Sequence, residues 1–173
     1  MGIQLIICME TNKKCKSDFI YISRTINQFY SVDNSRVRIQ PVFMNGKGRY
    51  ASTGVIREIN SFKNQYKAAS INNISVVIYC FDCDDYDTKP EDMRFIEQAK
   101  RYCSDNGYRF VWFCKDIEQV FIGRKIPDNQ KKQAATQFAA KKMIENVDKQ
   151  SLKAETFQNH RSNLCKVLDE YLL

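Results

Sequence analysis

Two sets of carboxylates follow apolar runs of this sequence and could hold a divalent cation together. Glu10 directly follows the run IQLIICM, and Asp82 and Asp84 directly follow the run ISVVIYCF, with Asp85 and Asp87 close behind. Like charges so close together raise one another's pKa values unless a cation relieves the repulsion. Carboxylate oxygens select hard ions such as Mg²⁺ or Mn²⁺ over Zn²⁺. We therefore take these acids as a candidate metal site.

The alternative for the second set is a solvated acidic turn that precedes a helix, since acids are favoured at helix N-termini. Asp87 fits that interpretation. Asp82 and Asp84 continue a strand, and side chains two apart in extended backbone point the same way. If Glu10 ends a neighbouring strand about 4.8 Å away, the acids can share one ion. We expect metal ligation by Glu10, Asp82 and Asp84, with Asp85 as a further ligand.

Strands and helices alternate along the sequence in the order that builds a parallel sheet. Apolar, β-branched runs predict four strands, and Pro41 places the second of them at an edge. The strands are expected at residues 3–9, 37–44, 74–81 and 108–114. The fold class is thus α/β, with a single open, mostly parallel four-stranded sheet and helices on both faces. Ligands of such sheets gather at the carboxyl ends of the strands, where the acids lie.

Helices are predicted between the strands from residues that cap helix N-termini. Ser17, Thr53 and Thr88 are the expected caps, the last in a capping box. A short apolar turn at 117–122 leads to a basic, Ala-rich helix near 128–147. A final helix starting at Ser151 carries Leu164, Leu168 and Tyr171 into the core. We expect a single domain over 1–173, with a core at about 3–123 and a helical C-terminal extension at about 124–173.

Composition bounds the cellular setting. The 173 residues carry a net charge of +7 and seven cysteines, an odd number scattered through apolar segments. Such cysteines suit reduced core thiols in a cytoplasmic protein, although Cys80 and Cys83 have the spacing of a redox or zinc half-site. No apolar run is long enough to cross a bilayer, so we expect no membrane partner.

Basic residues give candidate contacts to a nucleic-acid backbone. Lys47 and Arg49 lie in the glycine-rich loop NGKGRYASTG, and Lys131 and Lys132 lie on the predicted basic helix. Glycines allow close approach of a phosphate, and the cations supply the charge. The alternatives are a plain flexible loop and a solvated helix face.

The order of these features resembles the Toprim catalytic domain, nearest the OLD and RloB-like proteins of bacterial defence against phage. A strand ending in Glu10, a βαβα stretch, and a strand ending in Asp82-x-Asp84 carry the resemblance over residues 3 to about 123. The segment FCKDIEQVFIG resembles the RloB-like sequence after the fourth strand. Thr11 replaces the usual glycine after the first Glu. The acid expected a few residues later has no equivalent before Asp18, which starts a helix.

The resemblance implies a Toprim/Rossmann-like fold and a nuclease that uses Mg²⁺ or Mn²⁺ on DNA or RNA. Glu10, Asp82 and Asp84 would be catalytic metal ligands, Glu118 a further ligand, and Lys115 a cation for the leaving oxygen. By analogy, a separate ATP-hydrolysing protein is a possible partner.

Other functions stay open at this stage. In phosphatases of the haloacid dehalogenase type the first Asp of D-x-D is a nucleophile, but that motif follows the first strand, whereas here it follows the third. A response-regulator receiver also carries its acids on early strands. A Toprim-like domain that binds nucleic acid or a partner protein without catalysis is the third possibility.

Overall fold

The structure, a computed structural model that describes residues 2–172, contains one sheet with helices on both faces. The sheet order is β2-β1-β3-β4-β5, in which the first four strands are parallel and β5 is antiparallel to β4. The strands are β1 (Ile3–Met9), β2 (Val37–Phe43), β3 (Ile74–Asp82), β4 (Arg109–Cys114) and β5 (Arg161–Ser162). The predicted α/β class and mostly parallel sheet are confirmed, whereas the count of four strands was wrong.

The helices cover both faces because successive strand residues alternate between them. Leu5, Ile7 and Met9 face a core shared with α1, α5 and α6, while Ile6 and Cys8 face a second core shared with α2 and α3. The helices are α1 (Ser17–Phe29), α2 (Thr53–Ala69), α3 (Pro90–Asp105), α4 (Ile117–Ile122), α5 (Lys131–Ala140) and α6 (Leu164–Leu168).

The predicted helix caps are wrong, although α1, α2 and α3 begin close to the expected positions. Ser17 is buried inside the first turn of α1, and Lys16, in the left-handed region with φ 54°, precedes the helix. The cap of α2 is Ser52, one residue before Thr53. Thr88 donates its hydroxyl to the carbonyl of Asp85 (3.4 Å) and caps no helix.

The C-terminal part departs most from the sequence-based expectation. Residues 117–122 form the helix α4 instead of a turn. The predicted helix over 128–147 is divided, because Lys142 adopts φ 50° after α5 ends. The helix predicted from Ser151 is replaced by a short turn, β5 and α6. Leu164 and Leu168 are buried as expected, so this segment contributes to the core.

Candidate metal centre at the carboxyl edge of the sheet

The sheet brings Glu10 and Asp82 together. β1 and β3 are neighbouring parallel strands, with Cys8 paired to Tyr79, so their carboxyl ends lie side by side. The Oε1 of Glu10 accepts a hydrogen bond from the backbone N–H of Asp82 at 2.8 Å. Both residues are half-buried. Two of the predicted ligands thus occupy one small region at the strand ends.

Two further carboxylates reach the same region from helices. Asp18, in the first turn of α1, accepts a hydrogen bond from the backbone N–H of Thr11 at 3.3 Å. Glu118, in the first turn of α4, is completely buried. We call Glu10, Asp18, Asp82 and Glu118 the inner acid group, since each of them affects the pKa of at least one other member.

Burial raises the pKa values throughout the inner acid group, and repulsion from nearby acids adds to the rise at Glu10, Asp82 and Glu118. Burial raises the pKa of Glu10 to about 8, against the effect of the Asp82 amide, and the charges of Asp18 and Asp84 add to the rise. Burial, with Glu10, Asp18 and Glu118 nearby, raises the pKa of Asp82 well above its usual value. Burial also raises the pKa of Glu118 to about 7. Negative charge is therefore unfavourable here unless a cation joins the group.

The buried end of this region holds polar atoms that lack hydrogen bonds within the described chain. Neither carboxylate oxygen of Glu118 has a hydrogen-bond partner among residues 2–172, and the same holds for the hydroxyls of Thr11 and Tyr21. The nearest cation is Lys131, whose Nζ lies 3.5 Å from the Oε2 of Glu118. Leaving a buried carboxylate so poorly satisfied is costly, so these atoms indicate a place for a cation or another polar ligand.

The acids that follow Asp82 have a different environment. Asp84 has φ 50°, so the backbone is no longer extended there, and its carboxylate contacts Lys47. The expectation that Asp82 and Asp84 point the same way in extended backbone was therefore wrong.

The neighbouring acids are paired as well. Asp85 contacts Lys89 at 2.8 Å, and Asp87 contacts Lys115 at 3.1 Å. We call Asp84, Asp85 and Asp87 the outer acid group. Each of its members is exposed by 37–41% of its side chain, and each is already paired with a lysine.

The lysines predicted to contact nucleic acid or to assist catalysis differ in their surroundings. Lys47 contacts Asp84 and lies 3.5 Å from Asp92, and Lys115 bridges Asp87 and Asp85, so both are held within the acidic region. Lys132 is exposed.

The exposed Arg49 lies beside a groove next to the acidic region. The groove has a volume of about 580 Å³, and Lys13 and Lys14 also line it. It is placed at the carboxyl end of β2, beside the start of α2.

Sequence reasoning underrated one acid of this edge and missed another. Asp18 was considered only as a substitute for the expected acid because it starts a helix, yet that position is what turns its carboxylate back towards the end of β1. Asp116 is buried and caps α4, accepting the backbone N–H of Gln119 at 2.8 Å. The acids at the start of α1 and α4, two helices that each follow a strand, were the available signal, because those starts lie at the carboxyl edge.

The fit of a metal was tested on the arrangement of these donors. In the part of the chain that the structure describes, no group of three or more His, Cys, Asp or Glu side chains is arranged to hold an ion. The reason is that the carboxylates are turned to backbone amides: Asp82 Oδ1 accepts from the N–H of Ile117 at 2.9 Å, and Glu10 accepts from Asp82. The poorly satisfied Glu118 and the raised pKa values nevertheless suit a cation, and Glu10 and Asp82 each have a second oxygen beside the one bonded to an amide.

The thiols lie near this edge without forming a chelating pair. All seven cysteines are free. Cys80 and Cys83 belong to opposite cores, so the C-x-x-C spacing does not bring them together. Cys83 instead lies against Cys114 on the neighbouring strand, with a sulfur–sulfur distance of 3.2 Å.

Comparison with known proteins identifies no family for this sequence. No protein-family model matches the sequence, and no curated protein matches it significantly. The Toprim resemblance therefore stays a prediction. Among residues 2–172, none of the helices combines the length and the apolar character needed to span a bilayer.

Proposed function

We propose that this protein is a metal-dependent nuclease that hydrolyses phosphodiester bonds at the carboxyl edge of its sheet. The observation that carries the proposal is the inner acid group, in which carboxylates from β1, α1, β3 and α4 converge with raised pKa values. Uncompensated carboxylates are costly in a folded protein, and functional sites are where such costs concentrate.

Mg²⁺ or Mn²⁺ would be held by Glu10 and Asp82, with Asp84 and Glu118 as further donors. When bound, the ion polarises a phosphate and lowers the pKa of a water molecule, which supplies the nucleophile. The chain's own contribution is positioning. The Asp82 amide fixes one oxygen of Glu10, and the Ile117 amide fixes one oxygen of Asp82, so each carboxylate keeps a second oxygen for the ion. Asp85 is paired with Lys89 and belongs to the support of the site.

The charge around the site suits a nucleic-acid substrate. The groove lined by Lys13, Lys14 and Arg49 lies beside the loop that carries Lys47, and the chain as a whole has a net charge of +7. Cations at such a surface contact backbone phosphates and make binding sensitive to salt. Lys115, held by Asp87 at 3.1 Å, is the candidate to stabilise the leaving oxygen. A role in bacterial defence and a separate ATPase partner rest on the Toprim resemblance alone.

A cleavage assay tests the proposal. Purified protein is incubated with DNA and with RNA, in Mg²⁺ or Mn²⁺ and in EDTA. We expect cleavage that requires the metal and is lost in Asp82→Ala, whereas Asp105→Asn, a change of an exposed acid at the end of α3, cleaves at close to the wild-type rate. Equal cleavage by wild type and Asp82→Ala would show a contaminating nuclease. Metal binding with no cleavage of either substrate would favour a non-catalytic binding domain instead.

A further inference from the structure

The groove at the carboxyl end of β2 is continuous with the end of β1, where Glu10 lies. The loop that follows β2 is held there, because the backbone N–H of Gly46 donates to the carbonyl of Glu10 at 2.8 Å. Asn45 and Arg49 of this loop line the groove, and Lys47 of the same loop lies in the acidic region. A polymer bound at the strand ends can therefore continue into the groove.

The groove carries an excess of positive charge among the described residues. Lys13, Lys14 and Arg49 line it together with one acid, Glu58. Glu58 contacts Lys13 at 3.4 Å, so the exposed Lys14 and Arg49 remain for an anionic ligand. Amide and hydroxyl side chains add neutral hydrogen-bonding groups to the lining, from Asn12, Asn45 and Ser52. Side chains of these types are the ones that contact the phosphates of nucleic acids.

The lining of the groove also includes apolar side chains. Met44 and Val55 are buried, whereas Phe43 is half-buried and lies edge-on to Phe19, with 6.5 Å between the ring centroids. The bases of a single strand are free to stack on an aromatic ring, whereas the bases of a duplex are stacked on one another. Cations beside an aromatic side chain are the combination that binds single strands.

We infer that this groove binds one strand of nucleic acid with unpaired bases, so that the substrate class is single-stranded. Backbone phosphates contact Lys14 and Arg49, and a base packs on Phe43. The volume of about 580 Å³ holds a short stretch of one strand. A duplex would present its phosphates here and leave Phe43 without a base. This inference rests on the proposed function, because it assigns the groove to the substrate of that metal site.

Gly54 offers a way to fill the groove without disturbing the protein around it. It is the second residue of α2 and lines the groove, and a Cβ at this position would meet no atom within 4 Å. Leucine is a better helix former than glycine, so Gly54→Leu is compatible with the helix and places a side chain in the groove. Asn60→Leu is the matched control, since Asn60 is an exposed residue of the same helix outside the groove lining.

The experiment measures binding by fluorescence anisotropy in EDTA, so that no metal-dependent step takes part. The probes are a short labelled DNA strand, the RNA strand of the same sequence, and the corresponding DNA duplex. Wild type is expected to bind at least one of the strands about tenfold more tightly than the duplex, because only unpaired bases stack on the protein. Gly54→Leu should weaken binding of that strand about tenfold, and Asn60→Leu should change it by less than about twofold.

A second pair of variants tests the phosphate contact. Arg49→Ala and Arg57→Ala each remove one exposed arginine, but only Arg49 lines the groove. The logarithm of the association constant for a single strand falls linearly with the logarithm of the salt concentration, with a slope set by the number of phosphates neutralised. Arg49→Ala should make this slope shallower by about 0.7, and Arg57→Ala should leave it unchanged.

The outcomes separate this inference from the proposed function. Duplex binding as tight as single-strand binding, wild-type affinity in Gly54→Leu, or no binding of either strand would overturn the role of the groove, even where metal-dependent cleavage is observed. Selective single-strand binding without cleavage would support the groove and contradict the nuclease. Circular dichroism establishes that each variant is folded. If Gly54→Leu does not fold, the Arg49 and Arg57 pair decides, and equal salt slopes for the two would overturn the inference.

Discussion

The inner and outer acid groups contain the same kinds of side chain at the same edge of the sheet, yet their charges are treated differently. Each member of the outer group is at least one-third exposed and is paired with a lysine. The inner group is more buried, and Lys131 is the one lysine within ion-pair distance of it among the described residues. Each outer acid therefore has a lysine in contact, whereas the four inner acids share one.

A run of acids in a sequence does not by itself locate a metal site. The run DCDDYD drew attention to positions 82–87, but only its first member joins the uncompensated group. The other members of that group come from β1, α1 and α4, far apart in sequence. Exposed carboxylates are stabilised by water and nearby lysines, whereas buried carboxylates with few such partners retain the cost of their charge.

The largest difference between the two groups is expected in metal affinity. Asp82→Asn keeps the shape of the side chain but removes a charged donor, so the affinity for Mn²⁺ should fall by about 100-fold or more. Asp87→Asn should change it by no more than about twofold, because an exposed and paired carboxylate adds little. Isothermal titration calorimetry measures both. Similar losses in the two variants would remove the distinction between the groups.

In the absence of metal, removing a charge from the inner acid group should stabilise the protein, whereas removing one from the outer acid group should not. Glu10→Gln retains an oxygen to accept the Asp82 amide and removes the cost of a buried charge. In EDTA at pH 7 the free energy of unfolding should rise on the order of 2–3 kcal/mol, as the shift of the Glu10 pKa to about 8 implies. Urea unfolding measures this. Asp85→Asn, which loses its contacts to Lys89 and Lys115, should not stabilise the protein; a stabilised Asp85→Asn would contradict the comparison.

The same pKa shift fixes a pH dependence. The ordinary pKa of a glutamate is 4.5 and that of Glu10 in the folded protein is about 8, so the folded state keeps a proton that the unfolded chain releases. The free energy of unfolding of the metal-free wild type should therefore fall, relative to Glu10→Gln, as the pH rises from about 4.5 to about 8. Unfolding curves at several pH values in EDTA test the sign. A difference that does not vary with pH would mean that folding leaves the pKa of Glu10 unchanged.

The smallest effect, on thermal stability, is expected for an exposed lysine that is paired with the outer acid group. Lys89→Met breaks its 2.8 Å contact with Asp85. The midpoint of thermal unfolding should move by no more than about 2 °C, since surface ion pairs contribute little. A drop comparable to that from a buried-core substitution would show that the outer ion pairs have a structural role that their exposure does not suggest.

Much of the sheet was predictable because its strands are continuous apolar runs. The sequence placed Glu10 and Asp82 at the carboxyl ends of parallel strands, and the pairing of β1 with β3 in the structure brings them side by side. The two-residue strand β5 was not predictable, since it is too short to show periodicity. The division of the helix predicted over 128–147 was also missed, because Lys142 in a left-handed conformation carries no glycine signal.

The depth of the site was beyond sequence reasoning. Whether an acid is buried or exposed depends on how helices pack over the sheet edge. Glu118, in the first turn of α4, is buried, whereas Asp87, just before α3, is exposed. Lys131 was predicted to face a nucleic acid because its neighbours are basic, and the start of α5 turns it inward. Residue type and spacing identified the edge, and packing assigned the roles within it.

The most direct test is anomalous diffraction from crystals soaked in MnCl₂, recorded at a wavelength where manganese scatters anomalously. We predict a peak within ligand distance of the carboxylates of Glu10 and Asp82, with each side chain still bonded to its backbone amide through its other oxygen. A crystal with no peak at the strand ends, or with manganese bound only among Asp84, Asp85 and Asp87, would contradict the account.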